Sequence, residues 1–290
     1  MNIPKKMKTV NSLSGGKTSS YIAVNYPADY NVFALVRTDD VNCKFPDEKV
    51  RQIVSDRLGV EFIGTLEEDT IVYTMLDLEQ YIGSEITWVT GKTFDEVTNR
   101  KGKTYLPNAT QRFCTTEMKL NPIFDWWRNT IGNPVEMRIG FRANEQSRAK
   151  SMLEKINSNG MLEMKAIVGK TKTGNSNKWA SIEWQKPRFP LIENNIYKDK
   201  IELFWQDKQV RFAFMNNCVG CFHRNEMLLK LMSDKHPNKF EWFVNKEKGT
   251  GYNTRTFRMG ITYESIKNHK LQFNMFEEDF NDCDSGYCGL

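Results

Sequence analysis

The chain has 290 residues, 39% of them hydrophobic and 12% aromatic, enough to fill the core of one large domain or of a core with an appendage. Its 41 Lys and Arg against 36 Asp and Glu give +5, spread along the chain rather than gathered in one tail, a balance open to a nucleotide, a nucleic acid or a plain soluble surface. No apolar run reaches the roughly eighteen residues of a membrane span, and the basic residues 1–8 lead into no apolar stretch of signal-peptide length, so no membrane contact and a cytoplasmic location are expected.

Residues 7–13 read as a short strand, followed by the turn Ser14-Gly15-Gly16-Lys17-Thr18-Ser19-Ser20 and, from Tyr21, the start of a helix. Residues 31–36 (NVFALV) predict a second strand, 47–58 a helix and 60–64 a third strand. Residues 70–82 predict a helix. Residues 83–111 are polar and mixed, with Gly91, Gly102 and Pro107, and read as loops around a site. A helix over 115–131 and a fourth strand over 134–139 (PVEMRI) lead into the charged stretch 140–148. Alternating strands and helices predict an α/β fold, a doubly wound parallel sheet with right-handed crossovers, over residues 1–150. Residues 151–183 show no clear periodicity, and 170–178 read as a flexible loop. From residue 189 the chain reads as mostly helical, so 151–290 is expected to be a helical, cysteine-containing region that ends in an acidic tail over 273–290.

The six cysteines stand at 43, 114, 218, 221, 283 and 288. In a chain of this length that reads as cytosolic, the C-x-x-C pair Cys218 and Cys221 points to metal ligation or redox chemistry rather than to structural disulfides. Two thiolates in such a turn can grip one metal. A strand, a glycine turn and a helix form a phosphate-binding grammar: Gly15 and Gly16 let backbone N–H groups approach an anion, and the helix N-terminus adds a favourable dipole. Ser14, Thr18 and Ser19 could add hydroxyl donors. Arg142 and Arg148, separated by Glu145, suit oxyanion binding at a strand end, with Glu145 orienting a guanidinium.

The loop resembles the S-G-G-x-x-S loop of PP-loop pyrophosphatases and adenylylsulfate reductases, not a Walker loop. Further pieces follow in the same order. The segment Gln111–Pro122 is similar to one in phosphoadenylyl- and adenylylsulfate reductases where a cysteine precedes a helix bearing a basic residue. Here Cys114 is followed by Thr115, where the cluster-binding branch has a second cysteine. Gly140-x-Arg142-x-x-Glu145-x-x-Arg148 resembles the family's G-x-R-x-x-E-x-x-R segment. Gly286-Tyr287-Cys288-Gly289-Leu290 resembles an E-C-G-L tail whose cysteine attacks sulfur, with Tyr287 in place of the glutamate. Thr38-Asp39-Asp40 and Phe189-Pro190-Leu191 are weaker pieces of the pattern.

The resemblance implies a PP-loop (HUP-like) fold that binds ATP or a sulfonucleotide, with magnesium, through Ser12, Ser14, Gly15, Gly16, Lys17, Thr18, Ser19, Asp39, Gly140, Arg142, Glu145 and Arg148. It implies a four-iron four-sulfur cluster, or zinc, at Cys114, Cys218 and Cys221. Cys283 and Cys288 are alternative partners of Cys218 and Cys221, and Cys114 and Cys288 are candidate catalytic thiols. The activity implied is sulfonucleotide reduction or AMP-forming, ATP-dependent sulfur transfer. Its partners would be an adenine nucleotide, a tRNA or DNA acceptor, and a thiol reductant or sulfur-donor protein. The alternative is a non-catalytic nucleotide-binding or sensor module with a structural zinc site.

Overall fold

The computed structural model describes residues 6–171, 174, 176–251 and 255–269. Strand β1 (Thr9–Leu13) runs into helix α1 (Lys17–Asn25), which returns to β2 (Tyr30–Ala34). Two helices follow, α2 (Glu48–Leu58) and α3 (Thr70–Ile82), then β3 (Ile86–Val89). α2 begins where the Asp47 carboxylate accepts from the backbone N–H groups of Lys49 and Val50, and it ends at Gly59, whose φ of 66° few other residues would adopt. A short helix α4 (Phe94–Thr98) leads into a small hairpin of β4 (Asn99–Arg100) and β5 (Lys103–Thr104).

Residues 113–130 form one continuous helical segment. It opens as a single turn, α5 (Phe113–Thr115), widens to a π-turn over Thr116–Leu120, and continues as α6 (Asn121–Thr130). Strand β6 (Val135–Arg138), helix α7 (Gln146–Leu153) and a long hairpin of β7 (Leu162–Lys170) and β8 (Asn177–Arg188) come next. The remaining helices are α8 (Pro190–Glu193), α9 (Lys198–Trp205), α10 (Glu226–Lys235), α11 (Pro237–Lys248) and α12 (Tyr263–Asn268).

The main sheet has the order β3-β2-β1-β6-β8-β7, parallel throughout except for β7, which pairs antiparallel with β8. Alternation along its strands feeds two cores. Leu13 and Phe33 pack with α1, α2, α3 and α9 on one face, whereas Val10, Val32 and Ala34 pack with α6 and α7 on the other. Helices thus cover both faces, and the fold is doubly wound α/β. A third cluster joins Leu229, Phe243, Phe257 and Tyr263 of the C-terminal helical part to Val36 after β2, to Leu66 between α2 and α3, to Phe94 after β3 and to Met118 of the 113–120 turn. No described helix is long and apolar enough to cross a membrane.

Two expectations fail locally. Residues 60–64 are not a strand. Gly64 makes only isolated bridges to Thr38 and Lys44, while Ile86–Val89, expected to be loop, takes the third place in the sheet and buries Ile86 and Trp88. Much of the stretch 151–183, expected to lack regular structure, belongs to the β7–β8 hairpin, whose turn falls within the loop expected at 170–178. Only Leu162, Met164 and Ala166 of β7 turn towards the core and the strand is exposed beyond Ala166, so the apolar alternation is too short to read. Because β8 pairs parallel with β6, the sheet continues well past residue 150 into the region expected to be helical.

Candidate functional site

The chain winds from β1 towards β3 in one direction and from β6 to β8 in the other, so the topological switch lies between β1 and β6. Open α/β sheets bind ligands at the carboxyl ends of such strands. Both carry the expected motifs there. After β1, Gly15 has φ +81°, and a Cβ on it would lie 2.5 Å from Ile71 Cγ2, so α3 presses the turn into a shape that excludes side chains. Gly16 caps α1 without a side chain. The Ser19 hydroxyl folds back on the loop: it accepts from Ser14 N at 3.1 Å, lies 3.0 Å from Ser14 Oγ, and donates to Gly16 O at 3.2 Å. Ser12, Ser14, Thr18 and Ser19 are all buried. Lys17 turns instead to α9, where its ammonium pairs with Glu202 and its carbonyl accepts from Trp205 Nε1 at 2.9 Å.

After β6, a Cβ on Gly140 would stand 3.4 Å from Thr18 Cγ2 and 3.6 Å from Ser19 N, which places the two loops side by side. Arg142 is only 2% exposed. Its backbone N and Nε both donate to Glu145 Oε2, at 2.9 and 3.0 Å, and Arg148 pairs with the other carboxylate oxygen. The Arg148 guanidinium also lies 4.4 Å from the centroid of the Phe141 ring, which stacks on Phe189 at 5.4 Å. Glu145 therefore fixes both arginines at the loop that touches α1, and Phe189 of the weaker F-P-L piece closes the stack. Asp39 is exposed after β2, where Thr93 Oγ1 donates to its carboxylate at 2.8 Å and its own N–H donates to Asp95 at 3.0 Å.

Cys114 opens the helical segment whose π-turn holds Lys119, a local widening that recurs at functional sites. One small cavity of about 20 Å³ is lined by Ser12, Ser14, Ala34, Thr115 and Lys119. A second, of about 50 Å³, is lined by Cys114, Cys218, Cys221, Thr115, Lys119 and His223, among others. Thr115 and Lys119 line both. Lys119 Nζ donates to Glu67 Oε1 at 2.9 Å, and Glu67 is 1% exposed.

The C-x-x-C turn is held on several sides. Asn217 takes φ +91°, an uncommon conformation for a residue other than glycine. Cys221 N donates to Cys218 O at 3.0 Å, Val219 N to Leu66 O at 2.7 Å, and the Tyr263 hydroxyl to Gly220 O at 3.0 Å. A Cβ on Gly220 would lie 2.5 Å from Phe243 Cγ, so the turn sits directly on that ring.

Burial is the main influence on the thiols. It pushes Cys114 up to about 11, helped by Cys221, and pushes Cys218 well above the ordinary thiol value, with Glu67, Cys221 and Cys114 adding in the same direction. Loss of solvent around its ring, then Arg112, lowers His223 to about 4 and leaves it neutral. Three thiols around one cavity are the soft donors that zinc and iron–sulfur clusters take, so the residues fit such a group in kind. As arranged, no three His, Cys, Asp or Glu side chains among the described residues are grouped closely enough to hold an ion. Cys283 and Cys288 lie outside the described residues. Cys43, buried and pushed up to about 12, packs elsewhere, with its thiol 3.9 Å from Asn238 O.

Sequence reasoning missed Glu67 and the double role of Thr115 and Lys119. The basic residue was visible on its helix, but the carboxylate holding it sits in a stretch, 65–69, without any motif. The fold and site define a doubly wound α/β protein with two glycine-containing loops meeting at the switch point and a three-thiol cavity beside them. Comparison with models of known protein families and with curated proteins finds no match to this chain.

Proposed function

We propose that the chain is an adenine-nucleotide-binding enzyme of the PP-loop type that couples the nucleotide to sulfur chemistry at Cys114, Cys218 and Cys221. One observation carries the reading: Thr115 and Lys119 line both the cavity at Ser12 and Ser14 and the cavity of the three cysteines, so one turn of helix separates a phosphate-type loop from a thiol site.

On this reading the backbone N–H groups from Gly15 to Ser19 and the α1 N-terminus hold phosphate, and the Arg142–Glu145–Arg148 cluster holds the outer oxyanion, sulfate or pyrophosphate. Lys119, anchored by Glu67, places a positive charge between the nucleotide and the thiols. A cluster or zinc held by Cys114, Cys218 and Cys221 would keep these thiols deprotonated and supply a soft Lewis-acid or redox centre. Without such a cation burial leaves Cys114 a protonated, weakly nucleophilic thiol at neutral pH. Two reactions share the pocket. In ATP-dependent transfer an acceptor oxygen attacks the α-phosphorus, pyrophosphate leaves with magnesium, and incoming sulfur then displaces AMP. In sulfonucleotide reduction a thiolate attacks the sulfur, the nucleotide phosphate leaves, and a thiol of the reductant partner then attacks the resulting S-sulfonate so that sulfite leaves as a disulfide forms.

The test is anaerobic purification followed by iron, sulfide and zinc analysis, visible absorption, and calorimetry with ATP and with a sulfonucleotide. The expected result is bound metal that Cys218→Ser and Cys114→Ser both remove, and nucleotide binding that Gly16→Val abolishes. Metal-free protein would remove the thiol-site assignment. Unaltered nucleotide binding in Gly16→Val would remove the pocket. Release of pyrophosphate with an acceptor, or of sulfite from the sulfonucleotide, separates the two reactions.

A further inference from the structure

A cleft of about 910 Å³ opens beside the thiol cavity. One wall is the β4–β5 hairpin and the segment after it, with Lys103, Tyr105, Asn108 and Gln111; the other is the loop that carries Arg255 and Arg258. The walls meet where a Cβ on Gly249 would stand 3.4 Å from Thr104 Oγ1. Phe222 lines both this cleft and the cavity of Cys114, Cys218 and Cys221, so the two spaces share a wall.

Three features of the cleft point to its occupant. Among the described residues its lining contains Lys103, Arg255 and Arg258 and no acidic residue, and Arg258 pairs with Glu226 outside that lining at 3.9 Å. Exposed Arg100 and Lys101 extend the positive edge from the hairpin, and among the described residues neither Lys101 nor Lys103 forms an ion pair. Tyr105 is 44% exposed, and with Phe222 it offers ring surface. The remaining polar lining consists of amides and hydroxyls such as Asn108, Gln111 and Thr256, which both donate and accept, as base edges do. Cations alone would serve an acidic peptide. Cations combined with rings and two-way hydrogen-bonding groups suit a polynucleotide whose bases are unpaired.

We infer that this cleft binds a single-stranded segment of nucleic acid, its phosphates on Lys101, Lys103 and Arg258 and its bases on Tyr105, leading one base towards Phe222 and the thiol cavity. The inference deepens the function proposed above by naming the class of acceptor, and it rests on that reading only for the purpose of binding, not for binding itself.

The test uses the full chain with fluorescently labelled fifteen-nucleotide oligo-dT and oligo-U, the corresponding duplex, and a poly-glutamate peptide, followed by anisotropy over a range of salt. The single strands should bind more tightly than the duplex or the peptide, and the logarithm of affinity should fall with the logarithm of salt at a slope of roughly −2. Lys101→Glu combined with Lys103→Glu should weaken oligonucleotide binding by about tenfold or more while ATP binding by calorimetry is unchanged. Tyr105→Ala, which removes a ring and no charge, should also cost about tenfold. The inference is overturned if no single strand binds at low salt, if the peptide binds as well as the oligonucleotides, or if both variants bind the strand as tightly as the parent. Each of these results leaves ATP binding and metal content intact as separate readouts, so loss of the cleft and loss of the nucleotide-and-thiol reading are told apart.

Discussion

The glycine loop after β1 and the thiol cavity behind it are built by opposite means. Within the loop, Ser14, Gly16 and Ser19 bond to one another over six consecutive residues, and distant segments, Ile71 on Gly15, Gly140 beside Thr18 and Trp205 on the Lys17 carbonyl, press on it from outside. The cavity is assembled from Val36, Phe94, residues 112–119, residues 217–223 and Phe243, and much of its wall belongs to the third core cluster. A contiguous loop keeps its shape largely through short-range bonds, whereas a site drawn from five separate segments depends on the packing of every element that carries one. Substitutions should therefore act locally at the first and spread at the second.

The largest effect is expected at the hinge between the two. Lys119→Met leaves the buried Glu67 carboxylate without its partner and should cost about 3–5 kcal/mol in urea unfolding. Adding Glu67→Gln should recover much of that loss; a double variant as unstable as the sum of the two singles would show that the pair is not the link. Gly15→Ala meets both the positive φ and the Ile71 methyl, and about 2–4 kcal/mol of destabilisation is expected by the same measurement.

Asp95 ties the segment after β2 to α11. Its carboxylate accepts from Thr38 Oγ1 at 2.6 Å and Asp39 N at 3.0 Å after β2, and from Trp242 Nε1 at 2.9 Å and Lys246 at 3.0 Å on α11. Burial alone would raise its pKa, but these donors outweigh burial and hold it below the ordinary carboxylate value. A depressed folded-state pKa contributes stability above the unfolded value, about 4, and that stability is lost as pH falls through the folded value. Asp95→Asn should cost about 2 kcal/mol at pH 7 and flatten the loss of stability below about pH 4; an unchanged acid profile would remove Asp95 as the tie. The smallest effect is expected inside the loop. Ser19→Ala deletes an acceptor for Ser14 N and should cost about 1 kcal/mol, with thiol-site properties unchanged.

Much of the α/β frame could be read from the sequence because parallel strands buried on both faces leave continuous apolar runs, such as 31–36, between helices with clear caps. The Arg142, Glu145 and Arg148 spacing was legible for a related reason: three residues on one turn at a strand end meet wherever the strand ends. The β7–β8 ribbon was not legible, since only its base, with Leu162, Ala166 and Trp184, is buried, while the outer half towards the turn is exposed and has little to gain from apolar alternation. The apolar run at 60–64 misled because Phe62 is buried beside Phe45 and not within the sheet.

The sequence by itself determined the local parts: a glycine turn between a strand and a helix, a C-x-x-C turn, and a charged turn after β6, each set by residues within a few positions of one another. Only the tertiary structure decided which of these parts share a wall. Thr115 and Lys119 touch both cavities because the 113–130 segment crosses the strand ends, and Cys114 faces Cys218 and Cys221 because the third core cluster draws the C-terminal helical part over that edge. Such contacts join segments far apart in the chain, and the burial that holds them together has no direction or spacing to record in the sequence.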